Sequence, residues 1–119
     1  MKLILTASIK EVEFEPLIKT FSLESIKIAA KKALQGLGDN IKRSTKIPKT
    51  VVKKIYLTST GGAGRAVFLL QISSQKSVLV MIKLKNDKQI GANMTVSNPK
   101  FKRALDKNLF EVSFINPRD

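Results

Sequence analysis

The fold is decided by the stretch RAVFLLQISSQKSVLVMIKL, which spans residues 65–84. It holds two nearly continuous apolar runs, 65–72 and 77–84, and the polar residues between them have an ordinary hairpin length. Such runs are typical of central β-strands that are covered on both faces. A third candidate strand, 51–57, precedes them, and the glycine-rich residues 59–64 join it to the second. The pattern therefore predicts at least three antiparallel strands.

The glycine-rich connection suits a turn better than a nucleotide site. It reads Gly61-Gly62-Ala63-Gly64-Arg65, which lacks the Lys-Ser/Thr pair of a P-loop, and a strand rather than a helix follows it. A hairpin connection is the default interpretation of such a stretch between two strands.

Helices are predicted before and after these strands. Ser22 is a good N-cap, and the apolar residues after it recur at spacings of three and four until Gly36 and Gly38 end the pattern. Asn98 and Pro99 indicate the start of a C-terminal helix, because proline is favoured at a first helical position.

Shorter elements complete the predicted fold. Leu3-Ile4-Leu5 indicates a short strand, Glu15-Pro16 a helical turn, and residues 40–50 a basic connection. The order predicts an α+β fold, with an antiparallel β-sheet packed against N-terminal helices and a C-terminal helix. At 119 residues the chain has the length of one domain, residues 1–119.

The charge balance indicates an anionic partner. The chain has 22 Lys plus Arg against 9 Asp plus Glu, a net charge of +13. Such a surplus favours binding to a polyanion, most of all RNA, because cations that neutralise phosphates release counterions. The alternative is a composition that only keeps the surface soluble.

The residue types that are missing exclude several chemistries. The sequence has no cysteine and no histidine, so Cys/His zinc sites, disulfides and imidazole bases are excluded. The lack of cysteine suits the reducing cytoplasm, where we expect the protein to act. We expect no membrane association, since no apolar run approaches roughly 20 residues and the N-terminal apolar residues are too few for a signal peptide.

The carboxylates form no obvious metal site. Glu11, Glu13, Glu15 and Glu24 cluster early, where we expect a solvated edge, and Asp87 stands among lysines. A two-metal nuclease needs several carboxylates that project into one site. The sequence therefore predicts neither a metal ion nor another cofactor.

The candidate functional residues are mostly basic. Strand alternation places Lys54 and Tyr56 on one face of the first long strand and Lys53 on the other. We expect Lys54, Tyr56, Arg65 and Lys85 to converge on an exposed sheet face that can hold a phosphate; the alternative is that these charges only cap the ends of the sheet. Further contacts to RNA are expected from Lys46, Lys49, Lys53, Lys83 and Lys88.

RNA can be cut without a metal and without histidine. Its own 2′-hydroxyl attacks the adjacent phosphorus and gives a 2′,3′-cyclic phosphate. The protein has to align the strand, withdraw one proton and stabilise charge on the phosphoryl oxygens and the leaving group. A lysine crowded by other cations could serve as the base.

The stretch from Val52 to about Gly91 resembles the RelE/HigB-type toxins of bacterial type II toxin–antitoxin modules, within the RelE/ParE superfamily. The resemblance rests on three segments and, with the flanking helices, spans about residues 20–110: Lys54-Ile55-Tyr56-Leu57, Gly64-Arg65-Ala66-Val67-Phe68 and the run from Val78 to Lys85. It implies a RelE-like domain that cleaves messenger RNA on the ribosome and is silenced by an acidic antitoxin.

The resemblance also implies roles for single residues. Arg65 matches the phosphate-binding arginine of the family, Lys54 a lysine that contributes to catalysis, and Lys85 a basic residue that supports the leaving group. The chain departs from the family at Tyr56, where one branch has a second lysine. It departs again at Gly91-Ala92-Asn93, where some members have a tyrosine or histidine.

Two other functions stay open. One is a non-catalytic RNA- or DNA-binding module that uses the same basic sheet. The other is a ParE-like toxin that inhibits DNA gyrase by protein contact. A neighbouring reading frame for a small acidic protein would favour either toxin over the first alternative.

Overall fold

The computed structural model describes residues 1–42 and 48–112, and for Lys42 it describes the backbone alone. The strands of this part are β1 (Lys2–Ile4), β2 (Asp39–Lys42), β3 (Val51–Ser59), β4 (Gly62–Gln71) and β5 (Lys76–Leu84). They form a mixed sheet in the order β1-β5-β4-β3-β2. In it, β1 runs parallel to β5 and the other neighbouring pairs are antiparallel.

The helical elements confirm the predicted α+β class. They are α1 (Ala7–Ile9), which continues into a π-helical turn (Lys10–Phe14) and a 3-10 turn (Glu15–Leu17), α2 (Leu23–Leu34) and α3 (Pro99–Val112). α2 begins as predicted, with the Ser22 hydroxyl accepting a hydrogen bond from the Ser25 N–H. The Asn98 side chain accepts from the Lys100 N–H at the start of α3. None of the described helices has both the length and the apolar character needed to cross a bilayer.

The glycine-rich connection is a hairpin turn, as predicted. β3 and β4 pair from Val51 opposite Leu70 up to Ser59 opposite Gly62, which leaves a tight connection. Gly62 has a φ of 137°, a conformation that favours glycine. At Gly64 an added Cβ would lie 2.8 Å from the Phe21 ring, so the aromatic side chain packs directly on the strand backbone.

Helices cover the sheet, and the two central strands are buried as their apolar runs predict. α2 packs on β3 and β4, and α3 packs against β5. The pairing of β4 with β5 is irregular between Val67 and Phe68, where Val80 is the extra residue on β5. The Asn108 side chain of α3 donates a 2.9 Å hydrogen bond to the Val80 carbonyl and so satisfies a group at this bulge.

The prediction of a solvated acidic edge is wrong for Glu13. Glu11, Glu15 and Glu24 are exposed, but Glu13 is only 5% exposed. β1 leaves β5 after the pairing of Ile4 with Val78, so the backbone groups further along that edge need other partners. The π-helical turn brings Glu13 to this position, where its Oε1 accepts from the Ile82 N–H at 3.1 Å.

Candidate nucleic-acid interface

The register of the strands places the candidate residues on one face of the sheet. Tyr56 on β3 lies opposite Arg65 on β4, and Lys54 on β3 lies opposite Asp39 on β2. Directly opposed residues of antiparallel strands point to the same side, and so do residues two apart along one strand. Asp39, Lys54, Tyr56 and Arg65 therefore share a face, and Lys53 lies on the other, as strand alternation predicts.

Tyr56 is the exposed centre of this group. Its side chain is 56% exposed, although its strand neighbours Ile55 and Leu57 are buried. The Arg65 guanidinium carbon lies 5.1 Å from the ring centroid and the Lys54 Nζ lies 5.4 Å from it. Both distances are within the range of cation–π attraction. The ring thus projects from the sheet face with two cations beside it and an open surface towards solvent.

Asp39 completes the group and was not predicted. Its Oδ2 accepts a 3.2 Å hydrogen bond from the Tyr56 hydroxyl. Asp39 belongs to β2, and residues 40–42 of that strand fall in the segment predicted as a basic connection. A four-residue polar edge strand carries little local signal, so sequence reasoning had no means of placing this carboxylate beside Tyr56.

Lys54 is buried, which corrects the expectation that it lies on an exposed face. It is 5% exposed, and its Nζ donates a 3.1 Å hydrogen bond to the carbonyl of Met94. Met94 is itself buried, in the segment 85–98 that connects β5 to α3 (the β5–α3 loop). The ammonium of Lys54 thus ties this loop to the sheet.

Arg65 binds the same loop. Its Nη1 donates a 2.6 Å hydrogen bond to the carbonyl of Gly91, and the side chain is partly buried. An added Cβ at Gly91 would clash with the Leu84 carbonyl and would lie 2.8 Å from the Asp87 Cβ, so only glycine fits here. Arginine offers five N–H donors, so one bond to Gly91 leaves donors for a ligand.

Asp87 shapes the loop that presents Gly91. Its Oδ1 accepts from the backbone N–H groups of Gln89 at 3.1 Å, Ile90 at 2.9 Å and Gly91 at 3.4 Å. The bond from Ile90 does most to lower the pKa of Asp87 below its ordinary 3.8; the bonds from Gln89 and Gly91 and the charge of Lys83 act in the same direction against partial burial. A carboxylate that accepts several backbone N–H groups is stabilised in its charged form.

Lys85 lies at the same end of the sheet but outside the group around Tyr56. Its backbone N–H donates to the Ala63 carbonyl at 2.8 Å, so its backbone stands two residue pairs beyond Arg65 and Lys83. The side chain is exposed. It borders an open cleft of about 380 Å³, which is lined by Gly61, Gly62, Ala63, Leu84, Lys85 and Asn86.

The other lysines predicted to contact RNA are dispersed. Lys53 donates to the Gly36 carbonyl just after α2, and Lys83 forms a 3.0 Å ion pair with Glu13. Lys88 is exposed in the β5–α3 loop, and Lys49 is exposed in the turn before β3, with a φ of 60°. Lys46 lies outside the described residues.

The described residues contain no group of three or more His, Cys, Asp or Glu that could hold a metal ion.

A scan against models of known protein families finds no match for this chain, and a search of curated proteins finds none either. The candidate site is therefore defined by the geometry of Asp39, Lys54, Tyr56 and Arg65.

Proposed function

We propose that this protein is the toxin of a toxin–antitoxin module, a ribosome-dependent endoribonuclease that cleaves messenger RNA in the cytoplasm. The observation that carries the proposal is the exposed Tyr56 ring, with the Arg65 guanidinium 5.1 Å and the Lys54 ammonium 5.4 Å from its centroid. The α+β fold is compatible with the RelE-like arrangement that the sequence resemblance implies. An acidic antitoxin would bind a chain of net charge +13 and silence it.

The group around Tyr56 has the features that single-stranded RNA requires. An exposed aromatic ring is a stacking surface for a base, and such stacking is worth about 1–3 kcal/mol per base. A guanidinium beside the ring can hold phosphate oxygens with two parallel N–H bonds. The ring and the guanidinium together offer contacts to a base and to the phosphate that follows it.

The proposed cleavage needs no metal. The 2′-oxygen attacks phosphorus, the bond from phosphorus to the 5′-oxygen breaks, and the products are a 2′,3′-cyclic phosphate and a 5′-hydroxyl. Arg65 stabilises the charge on the phosphoryl oxygens, and the Lys85 ammonium gives a proton to the leaving 5′-oxygen. Lys54 contributes through its charge, 5.4 Å from the Tyr56 ring centroid, and not by direct contact with RNA. Its ammonium is buried and donates to the Met94 carbonyl.

One observation favours a second function, a non-catalytic RNA-binding module. Lys54 and Arg65 each donate to a backbone carbonyl of the β5–α3 loop, which is what purely structural cations do. In that case the same face would bind RNA and leave it intact. Cleavage of bound RNA distinguishes the two functions.

The test is cleavage of an end-labelled messenger RNA on purified translating ribosomes. We expect fragments that end in a 2′,3′-cyclic phosphate, mapped by ligation and primer extension. Arg65→Ala and Lys85→Ala should abolish cleavage and relieve growth arrest on induced expression, with the fold intact by circular dichroism. Arg103→Ala and Lys107→Ala are matched controls, because each removes the same charge from an exposed position on α3.

Two outcomes would contradict the proposal. If Arg65→Ala and Lys85→Ala both stay fully toxic, these residues do not form the site. If the wild-type protein binds RNA but leaves it uncut on ribosomes, the non-catalytic module is the correct function. In either case RNA affinity should fall steeply with salt, and a flat salt dependence would contradict binding through phosphates.

A further inference from the structure

The proposed reaction needs a group that takes the proton of the 2′-hydroxyl. The chain has no histidine, and the candidate lysine base, Lys54, is 5% exposed with its Nζ bound to the Met94 carbonyl. A base must lie within hydrogen-bond reach of the proton that it abstracts. A buried ammonium that anchors a loop is therefore poorly placed for this step.

We propose that Asp39 is the general base of this site and that the Tyr56 hydroxyl holds its carboxylate in position. This inference rests on the proposed function. Asp39 is exposed and lies on the same sheet face as Tyr56 and Arg65. Its Oδ2 accepts the Tyr56 hydroxyl at 3.2 Å, and we assign Oδ1 to accept the proton of a substrate hydroxyl.

The position of Asp39 relative to Arg65 suits one ribose–phosphate unit. The carboxylate binds the hydroxyl end of Tyr56, and the guanidinium lies 5.1 Å from the centroid of the same ring. β2 and β4 lie on either side of β3, so their backbones are separated by two strand spacings, about 10 Å. The two side chains reach towards each other across Tyr56 and can contact a ribose hydroxyl and its 3′-phosphate together.

The step balances without a further reactant. The 2′-hydroxyl proton passes to Oδ1 of Asp39 as the 2′-oxygen bonds to phosphorus. The bond to the 5′-oxygen breaks, and that oxygen leaves as an alcohol with a proton from the Lys85 ammonium. Exchange with water then returns Asp39 to its carboxylate and Lys85 to its ammonium. Asp39 is thus a catalytic residue and Tyr56 a positioning residue for it.

Asp39→Asn tests the proposal, because asparagine keeps an oxygen that accepts the Tyr56 hydroxyl but cannot take up a proton under these conditions. We expect kcat on programmed ribosomes to fall by about 100- to 10,000-fold. Affinity for an RNA with a 2′-deoxy residue at the cleavage site should not fall, because the substitution removes a negative charge from a surface that binds phosphates. Asp106→Asn is the matched control, since Asp106 also accepts a hydrogen bond from a side chain, Lys102, on the surface of α3.

The pH profile separates a base from a structural carboxylate. Among the described residues, the charged and titratable groups that face Asp39 from the neighbouring strands are Lys54 and Tyr56 on β3 and Arg65 on β4. For the wild-type protein we expect kcat to rise with pH on the acidic side and to fall on the alkaline side, the bell-shaped profile of a general base and a general acid. Asp39→Asn should lose this rise, and Tyr56→Phe should keep it at a lower kcat.

Each possible outcome either supports or overturns the role of Asp39 as the general base. A large loss of kcat, with binding undiminished and the rise of kcat at acidic pH absent, supports Asp39 as the base. If Asp39→Asn keeps the kcat and pH profile of the wild type, this inference is overturned and the proposed endoribonuclease function still holds. A wild-type protein that cuts no RNA overturns the proposed function and the role of Asp39 with it.

Discussion

Arg65 on β4 and Gly91 in the β5–α3 loop are joined by a 2.6 Å hydrogen bond from the guanidinium to the glycine carbonyl. Arg65, which stabilises charge on the phosphoryl oxygens in the proposed reaction, therefore also holds the β5–α3 loop against the sheet. The bond fixes the guanidinium beside the Tyr56 ring before any ligand arrives, so less side-chain entropy is lost on binding. Changes in the loop should accordingly alter the site without touching a residue that contacts RNA.

Gly91→Ala is the first prediction. The added methyl group would clash with the Leu84 carbonyl and approach the Asp87 side chain, so the loop must shift and Arg65 loses its anchor. We expect a loss of about 1–3 kcal/mol in the free energy of unfolding, the usual cost of overpacking. RNA cleavage should fall as well, measured below the melting transition.

Gly61→Ala is the control for this change. At Gly61 an added Cβ would meet the end of the Thr20 side chain at 3.3 Å, where the neighbour can adjust. We expect a much smaller loss of stability and no loss of cleavage. Equal effects at the two glycines would contradict the anchoring role of Gly91.

Lys54→Met is the second prediction. The substitution keeps the length and apolar stem of the side chain but leaves the buried carbonyl of Met94 without its 3.1 Å donor. An unsatisfied buried acceptor costs about 1–3 kcal/mol, which denaturant unfolding can measure. Because the ammonium is only 5% exposed, cleavage per folded molecule should fall less than in Arg65→Ala. A variant of wild-type stability that no longer cuts RNA would instead make Lys54 catalytic.

Local sequence signals predicted most of the fold. The apolar runs gave β4 and β5, Ser22 marked the start of α2, and Asn98 marked that of α3. These features act through neighbouring residues: a cap bonds an amide two or three residues on, and a buried strand is apolar throughout. Elements that depend on distant partners were missed. β2 is short and polar and owes its conformation to β3, which follows it across a connection.

The candidate site was predicted only in part, because some of its contacts join residues that are far apart in the sequence. Strand alternation correctly placed Lys54 and Tyr56 on one face, since the period of two is a property of the strand itself. The burial of Lys54 depends on a carbonyl 40 residues later in the chain, which no local pattern reveals. Asp39 lies 17 residues from Tyr56, and its role needed the pairing of β2 with β3.

Glu13→Ala is the third prediction. Glu13 accepts from the Ile82 N–H at 3.1 Å and forms a 3.0 Å ion pair with Lys83, so its loss leaves a backbone donor and a cation unpaired at the edge of β5. The Lys83 side chain is 24% exposed, so water can partly solvate its ammonium when the ion pair is lost. We expect about 2–4 kcal/mol of destabilisation in urea unfolding, at or below the range for broken buried pairs.

Two variants define what Glu13 contributes. Glu13→Gln keeps an oxygen for the Ile82 N–H and should lose less stability than Glu13→Ala. Glu11→Ala changes an exposed carboxylate in the same π-helical turn, and its effect should stay within about 0.5 kcal/mol. If Glu11→Ala and Glu13→Ala were equally destabilising, general charge rather than the contacts of Glu13 would be responsible.

The stability conferred by Asp87 should depend on pH, which is the fourth prediction. Its pKa in the folded protein is lowered from the ordinary 3.8, mainly by the Ile90 N–H bond, so the folded state favours the carboxylate. A group of this kind stabilises the fold above its unfolded pKa and loses that contribution as the pH falls through its folded pKa. Near neutral pH, Asp87→Asn should therefore lower the free energy of unfolding, by about 1 kcal/mol for the weakened hydrogen bonds.

The comparison with wild type at each pH isolates this contribution. Acid adds positive charge to a chain that already carries +13, so both proteins should lose stability through self-repulsion. Their difference should nevertheless shrink as the pH falls below 3.8, because the wild-type carboxyl is then protonated too. Urea unfolding from neutral to acidic pH measures it. A difference that stays constant, or that grows in acid, would show that the charge of Asp87 does not hold the loop that presents Gly91 to Arg65.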